Sequence, residues 1–374
     1  MIRAVFACAV VLGIGMSPAA RAETPDVAAD IAPVHALVAR VMQGVGEPAL
    51  ILPQDASPHH HAMRPSEARA LQEAELIVWM GPELAPWLEE ALDAVAEDAA
   101  RLTLMQVPGT QLLPWRDGVA FEIAGQMGHE GHEGHEHEDA HGHDAEHGHD
   151  DHAHDEDHGH EEDHGHDDHA HDKDHAHDAG HDHDKHAEED DHGHGHDHGH
   201  AHDGANDTHA WLDPSNARVW LDAIAEELAQ LDPANAETYR ANAADGQAEL
   251  TALEAELATA LEAVRDLRFA VSHDAFQYFE ARFGVFAVTA VTDGDAAPAS
   301  AARLSDVGAL IDERDVACVL VEPGVDTDRL ANVFGAEQRY GMLDPMGRGF
   351  TPGSALYPAL LRAMAEALQG CVTP

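Results

Sequence analysis

The chain has 374 residues and a formal net charge of −51, with 71 Asp and Glu, 20 Lys and Arg, and 33 His. Such an acidic chain repels nucleic acid and anionic membrane surfaces and attracts cations. No basic groove suited to DNA or RNA can be read from it.

Arg3 opens a positive segment, AVFACAVVLGIGM is an apolar run too short to span a bilayer, and Ala20-Arg21-Ala22 is an A-x-A site. This pattern predicts a signal peptide over residues 1–22, cleaved after Ala22, and an exported mature chain beginning at Glu23. Cys8 lies inside the apolar run, too far from the cleavage point for a lipoprotein cysteine. No later segment is long and apolar enough to cross a membrane.

APVHALVARVMQG has apolar positions at helical spacing after a short Val/Ala segment, and EPALILPQ reads as a short strand. RPSEARALQEAE begins a helix, with Pro65 in its first turn. AELIVWMG reads as a buried strand, PELAPWLEEALDAVA as a helix and RLTLMQVPG as another strand. Alternation of this kind predicts an α/β lobe with a mainly parallel sheet.

Residues 129–202 interrupt that lobe with His, Asp, Glu and Gly, as in GHEGHEHEDAHGHDAEHGHDDHAHDEDHGH. The tract has almost no apolar side chain to offset the entropy of ordering, so it is expected to be disordered. A solvated acidic linker needs charge but not a histidine at every second or third position. The tract is therefore expected to bind metal, since imidazole and carboxylate donors suit zinc and its neighbours.

DPSNARVWLDAIAEELAQLD is helical, with an N-cap signal at Asp213 or Ser215. Residues 233–267 contain almost no breaker besides Gly246 and predict one helix of about 30 residues, roughly 45–50 Å long, a rigid strut between two lobes. RFAVSHDAFQYFEARFG, FAVTAVT, RLSDVGALIDERDVACVLVEPG and ALYPALLRAMAEALQG repeat the strand–helix alternation. The expected fold is α/β: two lobes, each with a mainly parallel sheet flanked by helices, joined by one long helix, with the disordered insertion in the first lobe. The expected boundaries are 1–22 for the signal peptide, 23–232 for the first lobe (with 126–207 as the insertion), 233–267 for the linking helix and 268–374 for the second lobe.

Removing the signal peptide leaves Cys318 and Cys371, an even pair in an oxidising compartment. A disulfide between them would staple the C-terminal helix to a buried strand; two separate thiols are the alternative.

His59, His209 and His273 sit at strand-to-helix junctions in HHHAMRPS, NDTHAWLDPS and FAVSHDAFQYFE. Strand ends facing a crevice are where α/β sheets hold ligands. A lone histidine at such a place is usually structural, but three in an exported chain with so many metal donors point to a metal site. Asp344 in YGMLDPMG is the candidate carboxylate, with Glu322 in VLVEPG competing. Imidazoles with at most one carboxylate suit zinc better than calcium or magnesium. Asp274 and Glu280 stand near His273 in sequence, without being singled out as the groups that orient the imidazoles, and His35 has a plain structural reading. No H-E-x-x-H and no nucleophile elbow supports an enzyme.

SPHHHAMRPS, THAWLDPSNA, SHDAFQYFE, LVEPG and LDPMG, in this order with a long helix between the second and third, resemble the metal-binding proteins of ABC importers for zinc and manganese. The His-rich insertion and the Cys318/Cys371 pair resemble the zinc branch, the ZnuA type. The resemblance covers essentially the whole mature chain. It implies a periplasmic, monomeric solute-binding protein that takes Zn2+ in an interlobe cleft and delivers it to an integral-membrane ABC permease. Carried over by position, the ligands are His59, His209 and His273, with Asp344 or water fourth; His60 and His61 are neighbours. Alternatives are a His-rich metal buffering or storage protein, or the same fold specific for manganese or nickel.

Overall fold

The computed structural model describes residues 24–116, 118–121, 206–292 and 298–372. The expected signal peptide, its cleavage point and the His-rich tract lie outside the described residues.

The first lobe runs β1 (Val27–Ala29), α1 (Ala32–Val41), β2 (Ala49–Leu50), α2 (Pro65–Glu73), β3 (Leu76–Trp79), α3 (Pro86–Val95) and β4 (Ala100–Thr103). The strands pair in parallel in the order β2-β1-β3-β4. β1 and β3 are buried along their whole length, as central strands covered on both faces must be. Proline stands in the first turn of α1, α2 and α3, where its missing N–H costs nothing.

After the insertion come α4 (Pro214–Leu231) and α5 (Ala236–Leu261). The N-cap of α4 is Asp213, whose carboxylate accepts the Ser215 N–H at 2.7 Å. The second lobe follows with β5 (Phe269–His273), α6 (Gln277–Phe283), β6 (Ala287–Thr292), α7 (Ala301–Glu313), β7 (Cys318–Val321), α8 (Thr327–Phe334), β8 (Tyr340–Met342) and α9 (Leu356–Gly370). Its sheet is also parallel, in the order β6-β5-β7-β8. The two sheets thus share one winding: the first strand is central, the second lies on one side and the third on the other. Where winding reverses, a crevice opens at the carboxyl ends of the central strands.

The linking helix is shorter than its composition suggests. α5 has 26 residues, roughly 39 Å at 1.5 Å per residue, and ends in a tight 3-10 turn at Glu262–Val264. It is also no bare strut. Its buried stripe, from Tyr239 through Leu250 and Leu257 to Leu261, packs on α4, α1 and α9. Gly246 permits the closest approach: a Cβ there would stand 3.0 Å from Leu221 Cδ1 and 3.2 Å from Arg40 Cγ. One apolar core runs unbroken from the first sheet through α4 and α5 to the second. Smaller clusters fill the space under α2 and α3 and under α7 and α8.

Cys318, the first residue of β7, is disulfide-bonded to Cys371 beyond α9, closing a separation of 53 residues. The constraint this puts on the unfolded chain contributes about 2–4 kcal/mol. Among the described residues no helix is long and apolar enough to cross a membrane. The last described residues before the tract lie along β6 of the second sheet. Phe121 donates its N–H to the Val288 carbonyl at 2.9 Å, and Thr289 donates its hydroxyl to the Val119 carbonyl at 2.6 Å.

Candidate metal centre

Three imidazoles reach one cleft from three different elements. His59 stands in the loop between β2 and α2, His209 precedes the 3-10 turn Ala210–Leu212 at the start of α4, and His273 is the last residue of β5. The ring centroids of His209 and His273 are 5.0 Å apart; His59 is 5.8 Å from His209 and 6.4 Å from His273. All three line a cleft of about 390 Å³ together with Glu322 and Arg348.

Two of the rings are fixed by carboxylates. His209 Nδ1 lies 2.7 Å from Asp207 Oδ1, which also accepts the His209 backbone N–H at 2.9 Å. Asp207 is itself tied to α6: Gln277 donates to its Oδ2 at 3.1 Å, and the Tyr278 hydroxyl donates to its carbonyl at 2.7 Å. Burial pushes the Tyr278 phenol well above its usual range, so it stays a donor. His273 Nδ1 lies 2.7 Å from Glu322 Oε1. The sheet register explains that pair: Phe269, Ala270 and Val271 of β5 face Cys318, Val319 and Leu320 of β7, so residue 322 comes beside residue 273. A carboxylate oxygen accepts, so in both pairs Nδ1 is the donor, and in the neutral ring that leaves the Nε2 lone pair for a metal.

The His59 loop is held from below. The Trp87 indole N–H donates to the Pro58 carbonyl at 2.7 Å. His61, packed edge-on to Trp87 with centroids 5.0 Å apart, has its Nε2 2.7 Å from Glu67 Oε2. Glu67 also accepts the Arg64 N–H at the start of α2. His61 therefore braces the loop, and His60 is exposed.

The two candidate carboxylates part ways. Asp344 is not among the residues lining the cleft. Its two oxygens accept the backbone N–H groups of Met346 at 3.0 Å and Arg348 at 2.5 Å, so it shapes its own turn. Glu322 does line the cleft, as the partner of His273. Asp274 and Glu280 both grip Arg116, Glu280 at 2.5 Å. Burial raises the Glu280 carboxyl against the downward pull of Arg116. Burial opposes the Arg116 charge, but Glu280 and Asp274 hold it above its usual range. His35 pairs with the Pro48 carbonyl at 3.0 Å in the interior, where burial lowers its pKa. Sequence reasoning passed over Asp207, although it stands two residues before His209 in the segment DTH.

Ring spacing is a direct test of fit to zinc. Zinc–nitrogen bonds of about 2.0–2.1 Å in a tetrahedral shell put ring centroids roughly 5.2 Å apart. The His209–His273 pair has that spacing already, while His59 stands wide by about an ångström relative to it. Among the described residues no three His, Cys, Asp or Glu side chains are drawn together closely enough to hold a metal as they stand.

Comparison with known proteins adds independent support. The family model described as zinc-uptake complex component A, periplasmic, matches residues 27–371. The high-affinity zinc uptake system protein ZnuA of Paracoccus denitrificans is 40% identical over 366 residues, covering 97% of this chain and 96% of that one. The protein of the same name from Brucella suis is 35% identical over 352 residues, covering 94% and 92%. A ZnuA crystal structure superimposes with a TM-score of 0.61 at 18% identity, covering 92% of this chain and 100% of that one. The periplasmic zinc binding protein TroA of Treponema pallidum gives 0.64 at 14% identity, covering 94% and 100%. The chain belongs to the ZnuA family, the periplasmic A component of zinc-uptake complexes.

Proposed function

We propose that this protein captures a zinc ion on His59, His209 and His273 and delivers it to an integral-membrane ABC permease for uptake. The observation that carries this reading is the convergence of three imidazoles on one cleft, two of them with Nδ1 anchored on a carboxylate. Carboxylate anchoring of Nδ1 turns Nε2 toward the ion and raises its basicity. His209 and His273, fixed near zinc spacing, form the stationary half of the site. His59, on a loop of the first lobe, closes the shell by moving about an ångström, and the same movement in reverse opens it. Capture and release need no bond chemistry, in keeping with a solute-binding family that is not an enzyme class.

Among the described residues that line the cleft, three imidazoles and a carboxylate already paired with His273 favour zinc over manganese, which prefers oxygen ligands. The His-rich tract is a weak multisite accessory that raises the zinc concentration local to the protein. The protein works as a monomer in the periplasm, after cleavage behind Ala22. Complementation tests delivery. In a strain lacking its own zinc-binding importer component, the intact gene should restore growth in chelator-limited medium, and His273→Ala should not. Equal growth with both would refute the reading.

A further inference from the structure

Arg348 lines the same cleft as the three imidazoles and Glu322. Its Nη1 donates to the Pro323 carbonyl at 3.0 Å, on the loop that follows Glu322. Its Nε is buried with no hydrogen-bond partner among the described residues. Arg116, Arg218 and Arg282 each meet a carboxylate; among the described residues no such partner meets Arg348, although the chain has 71 Asp and Glu. A guanidinium beside a cation site raises the energy of a bare dication unless an anion lies between them.

The donor set gives that anion a place. Three imidazoles supply three donors, and tetrahedral zinc takes a fourth. Among the described residues that line the cleft, Glu322 is the one carboxylate and it is engaged with His273; Asp344 does not line it. The cleft, at about 390 Å³, has room well beyond one ion and a water, which occupies about 30 Å³. We propose that zinc is taken together with a small oxyanion of the carboxylate or carbonate class, one oxygen of which is the fourth donor to the metal while the other is held by Arg348. A guanidinium N–H gives that second oxygen a charge-assisted hydrogen bond. This inference rests on the zinc reading of the cleft and adds the chemistry of the co-ligand to it.

Cobalt(II), which reports its coordination shell through visible d–d absorption, tests it. The full chain is loaded with one equivalent of Co2+ in chloride-free buffer and titrated with formate. A His59→Ala/His273→Ala double variant supplies the background from other sites. Formate should shift the cleft spectrum saturably. Arg348→Gln should require about tenfold more formate, the usual loss for one charge-assisted hydrogen bond, and Arg348→Lys should fall between. The His-dependent cobalt spectrum shows that each variant is folded. If that spectrum is present but formate leaves it unchanged, or acts equally on wild type and Arg348→Gln, the co-ligand is refuted and the zinc site stands. If the cobalt spectrum does not depend on His59 and His273, both fall.

Discussion

His273 Nδ1 and Glu322 Oε1 lie 2.7 Å apart across the carboxyl ends of the two central strands of the second sheet. The carboxylate thus sets the tautomer and direction of the ring. Glu322→Gln keeps the shape but offers an amide whose orientation is no longer dictated by charge. Zinc affinity should fall by about 10–100-fold, the usual cost of losing such a partner, with little change in fold. Chelator competition at fixed pH measures it; an unchanged affinity would remove Glu322 from the site's support.

Trp87 supports the loop that carries His59. Its indole N–H holds the carbonyl of Pro58, the residue before His59, at 2.7 Å. Trp87→Phe keeps most of the apolar packing and deletes that bond. It should cost about 1 kcal/mol of stability and weaken zinc binding severalfold through a looser His59. A Trp87→Phe protein that binds zinc like wild type would show that the loop is held by His61 and Glu67 alone.

Arg116 lies between two buried carboxylates, Asp274 and Glu280, which are 3% and 1% exposed. Arg116→Ala leaves them facing each other unpaired, and should destabilise the protein by about 3–5 kcal/mol near neutral pH. Burial already pushes Glu280 upward, so without Arg116 it takes a proton readily. Part of the loss should return at mildly acid pH. Urea unfolding of both proteins at the two pH values checks this, and a pH-independent deficit would contradict it.

Asp30 follows the first strand of the first sheet, much as His273 ends the first strand of the second. Its carboxylate accepts the N–H groups of Ile31 at 2.7 Å and Met80 at 2.8 Å, yet complete burial raises its pKa from 3.8 to about 7. Between those values the folded protein holds a proton that the unfolded chain has released. The Asp30 contribution to stability is therefore full below about pH 4 and is lost as pH rises to about 7, amounting to at most about 4 kcal/mol. Asp30→Asn abolishes this slope, although its single carbonyl leaves one N–H unpaired at a cost of about 1–3 kcal/mol. The stability gap between wild type and variant should shrink as pH rises from about 4 to 7. A constant gap would mean that Asp30 does not titrate there.

Much of this architecture is legible locally. Strands such as LIVW and CVLV are apolar runs because they are covered on both faces, and Pro65, Pro86 and Pro214 mark helix starts. His59, His209 and His273 could be singled out because each stands where an element ends. The missing parts are long-range or depend on competing partners. Arg116 reaches Asp274 across 158 residues, and no local pattern announces such a pair. Glu322 and Asp344 are both carboxylates in late loops; only the strand register and the amides of Met346 and Arg348 separate their roles. The Ala, Leu and Glu composition of α5 continues past Leu261, while the chain tightens into a 3-10 turn before β5, so composition alone does not mark the end of the helix. α8 and β8 are short, with 8 and 3 residues, and their patterns are too brief to stand out.

The central claim is that the cleft, and not the His-rich tract, holds zinc tightly. The most direct measurement is a zinc competition titration of the mature chain lacking residues 129–202. The expected result is one tight site that disappears in His59→Ala and in His273→Ala. Weak binding alone in the shortened chain, with tight binding present only when the tract is intact, would contradict the account.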